Sequence, residues 1–408
     1  MSELDIFKSI RSKNRTHCEV CEMELGAPVI YLPKFPLTEI YLKFKVDQKI
    51  GFIDQEFHVC KNCGHGQINR IIDPNILYGH NYKTRTSTSS SAIGAIDVFL
   101  LFVDKIIKKK RVRSILEVGC NDLYTLRKMK NRADVLFGID PILKGMKLND
   151  PKINVIGDFF ENVDLQLLGC EPEIVLSSHT LEHIEVPKKM IKDLLAHTSP
   201  ETLFFFQFPG LESLVNQAHF DQVFHQHLNY FSLQSVIYML SDLDAELIDY
   251  EVNPYHWGAI MIAFRKGKTN ARKANLKFSS KVPSISLKHI RSQYDIFKKN
   301  MRLTSRRLAT LKDNNGVYGY GAALMLPILS YYINGLEKLK NILDEDASKR
   351  GLYYLNFPVE IRLPEEVRNL KDATIVVTAI NSMQAVRAII KKLIEIGVRQ
   401  ILVPSNLI

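Results

Sequence analysis

No run of the 408 residues reaches the 18 or so apolar positions that a membrane span requires; the closest, 95–103, is interrupted by Asp97. The opening residues, MSELDIFKSIRSKNR, hold no apolar stretch ahead of a cleavage site, so the expectation is a cytoplasmic protein without a membrane span. Internal repeats are absent, and with 46% hydrophobic and 24% charged residues the composition excludes both wholesale disorder and a fibrous chain. Such a length exceeds what one hydrophobic core usually spans, which points to two or three domains.

A nucleic-acid signature is missing as well, although the net charge is +10. The surplus is local: residues 265–312 hold fifteen Lys or Arg against one acid, Asp295, while the rest of the chain carries 39 basic and 43 acidic residues. Such a segment reads as the solvated face of a connecting helix, or else as a phosphate-binding surface. No nucleic-acid partner is expected.

Cysteine is scarce, and disulfides are not expected in a cytoplasmic chain. Four of the six cysteines form two knuckles, Cys18 and Cys21 in CEVC and Cys60 and Cys63 in CKNC, while Cys120 and Cys170 stand alone. Two such turns can place four thiolates around one Zn2+. A redox pair would need a βαβ context that this region lacks; chance core cysteines are the other alternative. With four Cys ligands there is no open position, so the ion would hold a fold. His17, His58 and His65 lie nearby, as bystanders or as a substitute ligand. Between the knuckles, alternating apolar and polar residues punctuated by proline read as short strands of a small β-rich module.

After Asn81 a helix is expected from about Ala92 to Lys110, then an apolar strand over Ile115–Val118, a turn at Gly119 and a second strand ending at Asp140. VIGDFF, EIVLSSHTLEHI and TLFFFQFPG supply three further segments of this kind. Strands alternating with helices imply a doubly wound parallel sheet with its ligand at the strands' carboxyl ends. A dinucleotide site would normally show GxGxxG, and here only Gly119 is present. From Lys288 to Leu311 a basic helix leads into GVYGYGAALMLPILSYY, and the strands ILDED, DATIVVTAI and QILVPS with a helix over Met383–Ile396 describe a second, smaller Rossmann-like unit.

The arrangement EVGCND resembles the first motif of class I methyltransferases that use S-adenosylmethionine. The resemblance implies that Glu117, Gly119 and Asn121 line the methionine end, that Asp140 accepts from the ribose hydroxyls, and that Asp158 and Phe159 flank the adenine. Leu123 stands where that family commonly has glycine, which narrows the expected approach of the cofactor.

The whole order, a four-cysteine module, a core with LEHI, the string HFDQVFHQHLNYFS and a C-terminal α/β unit, resembles the sugar C-methyltransferase family, which methylates C3 of nucleotide-linked 4-keto-deoxysugars. The family string usually reads Tyr-His-Glu-His; those positions are Phe224, His225, Gln226 and His227 here, so two histidines match while a hydroxyl and a carboxylate are lost. The resemblance implies His227 as the base that removes the C3 proton, with His225 beside it and His179 at the sheet's ligand edge; His183 reads as a packing residue. Tyr82, Asn229 and His256 fall where substrate contacts are expected, but Trp257, Ala259 and Met261 replace residues of the family's next strand.

The expected fold is therefore α/β: a zinc-binding module over 1–80, a class I Rossmann-like methyltransferase core over 81–265, a basic linker helix over 266–312 and a C-terminal Rossmann-like domain over 313–408. The expected protein is a monomer or weak homo-oligomer that C-methylates a nucleotide-sugar with S-adenosylmethionine and holds a structural zinc. An O- or N-methyltransferase on a related saccharide precursor, another enzyme of saccharide assembly, and a catalytically weakened binding protein are the alternatives.

Overall fold

The computed structural model describes residues 10–46, 49–77, 84–146, 148–256, 258–267, 270–279, 285–311, 316–380 and 382–404, with Leu4 and Phe7. Its largest sheet has seven strands, in spatial order Ala245–Asn253, Ala259–Lys266, Leu203–Pro209, Ile174–Ser178, Val112–Val118, Ala133–Ile139 and Ile153–Ile156. The five strands from Leu203–Pro209 to Ile153–Ile156 run parallel. Ala259–Lys266 is antiparallel to both of its neighbours. The parallel strands are apolar runs because helices cover both faces: Phe204, Phe205, Phe206 and Phe208 are all buried. This is the Rossmann-like class I S-adenosylmethionine-dependent methyltransferase fold that the motif order implied.

The helix Ser90–Ile107 starts where the Ser89 side chain accepts from the Ala92 amide, and it buries Phe99, Phe102 and Val103. It stops three residues short of the expected end because Lys108 turns left-handed, so the cations of KKKR follow the helix instead of occupying its last turn.

From Val112–Val118 the chain lays strands outward on one side, then returns to place Ile174–Ser178 on the other. The switch of direction opens a crevice between these two strands, the usual place for a ligand in such sheets. Gly119 sits at its mouth with φ +78°, and a Cβ there would lie 1.8 Å from Thr180 Oγ1, so only glycine fits.

Around this core the other two parts interlock. An antiparallel sheet of Ile30–Pro36, Phe52–Val59 and Gly66–Ile68 takes its fourth strand, Asn229–Tyr230, from the core. The C-terminal sheet is parallel, in the order Ile361–Arg362, Ile342–Leu343, Val317–Tyr320, Thr374–Val377 and Gln400–Leu402. Its neighbouring strand Tyr353–Tyr354 pairs with Tyr41–Leu42 of the N-terminal module. One apolar cluster joins Phe35 and Phe57 to Phe220, Phe224 and Tyr230, and onward to Phe297, Leu326 and Tyr354. The basic helix, Leu287–Ala309, buries Ile290, Phe297 and Met301 and leaves Arg291, Lys299, Arg302, Arg306 and Arg307 exposed. Among the described residues no helix is long and apolar enough to cross a membrane.

Candidate active site

A cavity of about 790 Å3 opens at the carboxyl ends of the central strands. Glu117, Gly119, Asn121, Asp140, Asp158 and Phe159 all line it. Asp140 ends the strand Ala133–Ile139, and its two carboxylate oxygens accept from the backbone amides of Asn121 (2.8 Å) and Ile142 (3.0 Å). The acid thus holds together the two loops between which a ribose would lie. Burial raises its pKa, against the pull of those two amides. Asp158, half-buried, is held below the usual carboxylate range by hydrogen bonds from Asn162 and the Phe159 amide.

Glu117 is the most perturbed acid of the crevice. Burial pushes its carboxyl up to about 8, and Oε2 is enclosed with no hydrogen-bond partner. A buried carboxylate oxygen without a donor, beside a cavity, suits an incoming ammonium group. The cofactor's α-amino group supplies one, so these residues fit S-adenosylmethionine. Leu123 does not narrow the approach: it is 1% exposed, clusters with Leu126, Leu136 and Leu143 in the core, and is not on the cavity wall. What marks its position is the backbone, left-handed at φ 69°, which explains a glycine in the motif.

The Ser/Thr segment closes one side of the cavity. Asn121 accepts from the Thr86 amide (3.1 Å) and donates to the Thr84 carbonyl (3.3 Å), while Asp122 accepts from the Ser87 amide (3.0 Å). Tyr82 lies outside the described residues.

The opposite end is built from histidines. His179, His183, His227 and His256 line the cavity, whereas His225 and Asn229 do not. His225 Nδ1 accepts from Gln55 Nε2 (3.1 Å) and Nε2 donates to the Phe35 carbonyl (3.3 Å), so both nitrogens are spent on tying the core to the N-terminal module. Asn229, 1% exposed, accepts from Arg15 Nη1 and His65 Nε2 (3.2 Å each) and donates to the Ile184 carbonyl (2.7 Å). Each is committed to neighbours in the protein, which leaves no group for a substrate.

His179 follows the strand Ile174–Ser178 in a left-handed conformation, φ 52°, and packs edge-on against His256 at 4.7 Å. Burial lowers the two imidazoles to about 4 and about 3, so both are neutral near pH 7. A one-turn helix, Leu181–His183, folds Glu182 back so that its Oε1 stands 3.2 Å from His179 Nδ1. With the carboxylate charged, Nδ1–H is the donor and Nε2, enclosed and without a partner, is the ring's basic nitrogen. Glu182 is a residue that sequence reasoning passed over: it stands inside LEHI, but the motif served there only as a spacing marker. Leu324 and Met325, contributed by the C-terminal domain, were not anticipated either.

Away from the cavity, the four cysteines converge. Cys18 and Cys63 have their sulfurs 3.6 Å apart, Cys21 and Cys60 3.4 Å, and all four lie within 4.8 Å of one another. Four thiolates at ~2.3 Å from one Zn2+ stand about 3.8 Å apart, so the set fits a closed tetrahedral zinc site. His17, His58 and His65 are outside this group, bonded to Thr16, to Gly26 with Glu56, and to Asn229 respectively.

Fold, crevice and thiolate cluster define a S-adenosylmethionine-dependent methyltransferase with a zinc-binding N-terminal module. In agreement, residues 95–250 match the family model described as "Methyltransferase domain", and residues 18–78 match the one described as "Putative zinc binding domain". The chain is similar to the C-methyltransferase NovU of Streptomyces niveus, at 22% identity over 320 residues that cover 76% of each chain. Among solved structures, magnesium protoporphyrin IX methyltransferase (ChlM) from Synechocystis PCC 6803 aligns with 45% of this chain and 89% of its own, at 9% identity and a TM-score of 0.35. The N-methyltransferase NodS from Bradyrhizobium japonicum WM9 aligns with 42% of this chain and 86% of its own, at 11% identity and a TM-score of 0.33.

Proposed function

We propose that the protein methylates a carbon of a nucleotide-linked ketosugar, the carbon adjacent to a 4-ketone, and that His179 is the base. The observation that carries this reading is that one cavity joins the Glu117–Asp140 end to the His179–Glu182 pair. S-adenosylmethionine, when bound, supplies an electrophilic methyl group. The residues supply the rest: Glu117 and Asp140 orient the cofactor, Glu182 fixes the tautomer of His179, and Nε2 of His179 takes the proton from the carbon made acidic by the ketone. The similarity to a C-methyltransferase supports carbon as the acceptor.

A second reading, transfer to a hydroxyl oxygen, has its own support. Phe224 and Gln226 line the cavity in the places of the family's tyrosine and glutamate, so a hydroxyl and a carboxylate are missing from the carbanion machinery. Transfer of labelled methyl into a panel of nucleotide-linked 4-ketosugars in deuterated water separates the two. Carbon methylation predicts label at C3 together with solvent exchange of the C3 hydrogen; label on oxygen without exchange selects the second reading, and no transfer to any ketosugar removes both.

A further inference from the structure

Gln226 lines the cavity and is 3% exposed, and its Nε2 is enclosed with no hydrogen-bond partner among the described residues. Native chains keep few buried amide nitrogens in this state, because each forgoes a bond that water would have supplied. The backbone around it is fixed. The Gln226 carbonyl accepts from His183 Nδ1 at 2.8 Å and the Leu228 amide donates to the Glu182 carbonyl at 2.8 Å, which laces this segment to the one-turn helix Leu181–His183. The next ring in the chain, His227, packs 4.1 Å from that of Phe224 and closes the wall beside it.

His179 Nε2, Glu182 Oε2 and His227 Nδ1 are enclosed in the same way on this wall. The carboxylate oxygen accepts, His179 Nε2 is the basic nitrogen of its ring, and the role of His227 Nδ1 follows its tautomer. Gln226 Nε2 is a donor whatever the tautomers, so the end of the cavity that holds the base also holds a neutral hydrogen-bond donor. A ketone oxygen has only lone pairs to offer, and it gains negative charge when the neighbouring carbon loses its proton. A donor already fixed in a wall without water stabilises that charge with no reorganisation at the moment of reaction. An ionised glutamate at this position would repel the same charge. The change from glutamate to Gln226 therefore adds a donor where it removes a carboxylate.

We propose that Gln226 is a catalytic residue for transfer to carbon: its Nε2–H donates to the ketone oxygen of the acceptor sugar and stabilises the negative charge that forms there. This inference rests on the ketosugar reading, with His179 as the base. As His179 Nε2 takes the C3 proton, the C3–H electron pair becomes the second bond between C3 and C4, and the carbonyl π pair moves onto the oxygen that Gln226 faces. When C3 then bonds to the methyl carbon, that pair re-forms the ketone and the pair of the broken S–CH3 bond leaves on sulfur.

The test uses the full chain with S-adenosylhomocysteine bound and a nucleotide-linked 4-ketosugar in deuterated water, so that loss of the C3 hydrogen is read apart from methyl transfer. Gln226→Met keeps the side-chain length and the backbone carbonyl that His183 bonds, but it has no donor. It should slow C3 exchange by about 10²–10³ and lower kcat for methyl transfer by a similar factor, with KM and the affinity for S-adenosylhomocysteine nearly unchanged. Exchange in Gln226→Met at the rate of the unaltered protein overturns the inference and leaves the ketosugar reading standing. An unaltered protein that neither exchanges the C3 hydrogen nor methylates any ketosugar removes that reading, and the role of Gln226 falls with it. Should Gln226→Met fail to bind S-adenosylhomocysteine, the unaltered protein decides. The infrared band of the bound ketone, identified by an isotope label at C4, should lie at lower frequency than in water, and a band above its position in water means that no donor reaches the oxygen.

Discussion

Glu182 holds His179 from behind: its Oε1 lies 3.2 Å from Nδ1, and the opposite ring nitrogen has no hydrogen-bond partner among the described residues. A carboxylate that fixes the tautomer of an imidazole is the arrangement by which histidines serve as bases. His179→Ala is therefore expected to lower methyl transfer by about 10²–10⁴ and to abolish solvent exchange at the acceptor carbon, with affinity for S-adenosylhomocysteine nearly unchanged. His225→Ala should leave exchange in place, because both nitrogens of that ring are already bonded within the protein. Exchange surviving in His179→Ala and lost in His225→Ala would reverse the assignment.

Glu117 ties cofactor binding to pH. Burial raises its carboxyl to about 8 in the folded chain, so near pH 7 it is largely protonated before the cofactor arrives. An ammonium placed against it favours the charged form, and the proton leaves. Binding of S-adenosylhomocysteine at pH 7 should release close to one proton, read by calorimetry in buffers of different ionisation enthalpy, and Glu117→Gln should release none. The same shift acts on stability with a definite sign. A carboxyl whose folded pKa lies above its unfolded value contributes fully below about 4.5, and that contribution is lost as pH rises toward 8. The ligand-free protein should lose stability across this window, and less so as Glu117→Gln.

Asp140 is braced by two backbone amides, which makes its replacement more than the loss of a ribose contact. Asp140→Ala removes charged hydrogen bonds of about 1.5–3 kcal/mol each, so S-adenosylhomocysteine should bind at least tenfold more weakly. Asp140→Asn keeps acceptor capacity for one amide and should fall between. Equal affinity in all three proteins would take the ribose away from Asp140.

These residues show what a sequence can and cannot disclose. Glu117, Gly119, Asn121 and Asp140 were legible because a strand, a tight turn and a second strand impose short-range spacing, and all of them reach the cavity. The histidine string was harder to read. His225 and His227 are two positions apart, and only the tertiary partners, Gln55 and Phe35 on the one side and the cavity on the other, separate a packing ring from a wall residue. Glu182 was missed for a related reason: its meeting with His179 depends on a single helical turn and a left-handed residue, neither of which periodicity reports. The pairing of Asn229–Tyr230 with Gly66–Ile68 joins segments more than 150 residues apart, and no local pattern encodes it.

That pairing carries zinc's influence toward the active site. The strand Gly66–Ile68 begins three residues after Cys63, and Ser232 donates to the Gly64 carbonyl at 3.0 Å. Removing zinc frees the four thiols, three of them buried, to move apart and loosens the strand that Asn229–Tyr230 joins. Chelation should lower the melting temperature and also raise amide hydrogen exchange across Phe224–Tyr230. Loss of metal with both quantities unchanged would confine the ion to a local role.

Leu123 offers a test in which two effects of opposite sign compete. Its φ of 69° is a conformation that costs a branched residue about 1 kcal/mol and glycine almost nothing, so Leu123→Gly relieves backbone strain. The same substitution empties a core position among Leu126, Leu136 and Leu143, where truncating a buried leucine costs about 2–5 kcal/mol. The second term is larger, and the variant should be less stable by about 1–4 kcal/mol in chemical denaturation. Cofactor affinity should change little, because the side chain is not on the cavity wall. A stabilised Leu123→Gly would mean that strain outweighs packing at this turn, and a markedly tighter grip on S-adenosylhomocysteine would mean that the leucine crowds the cofactor after all.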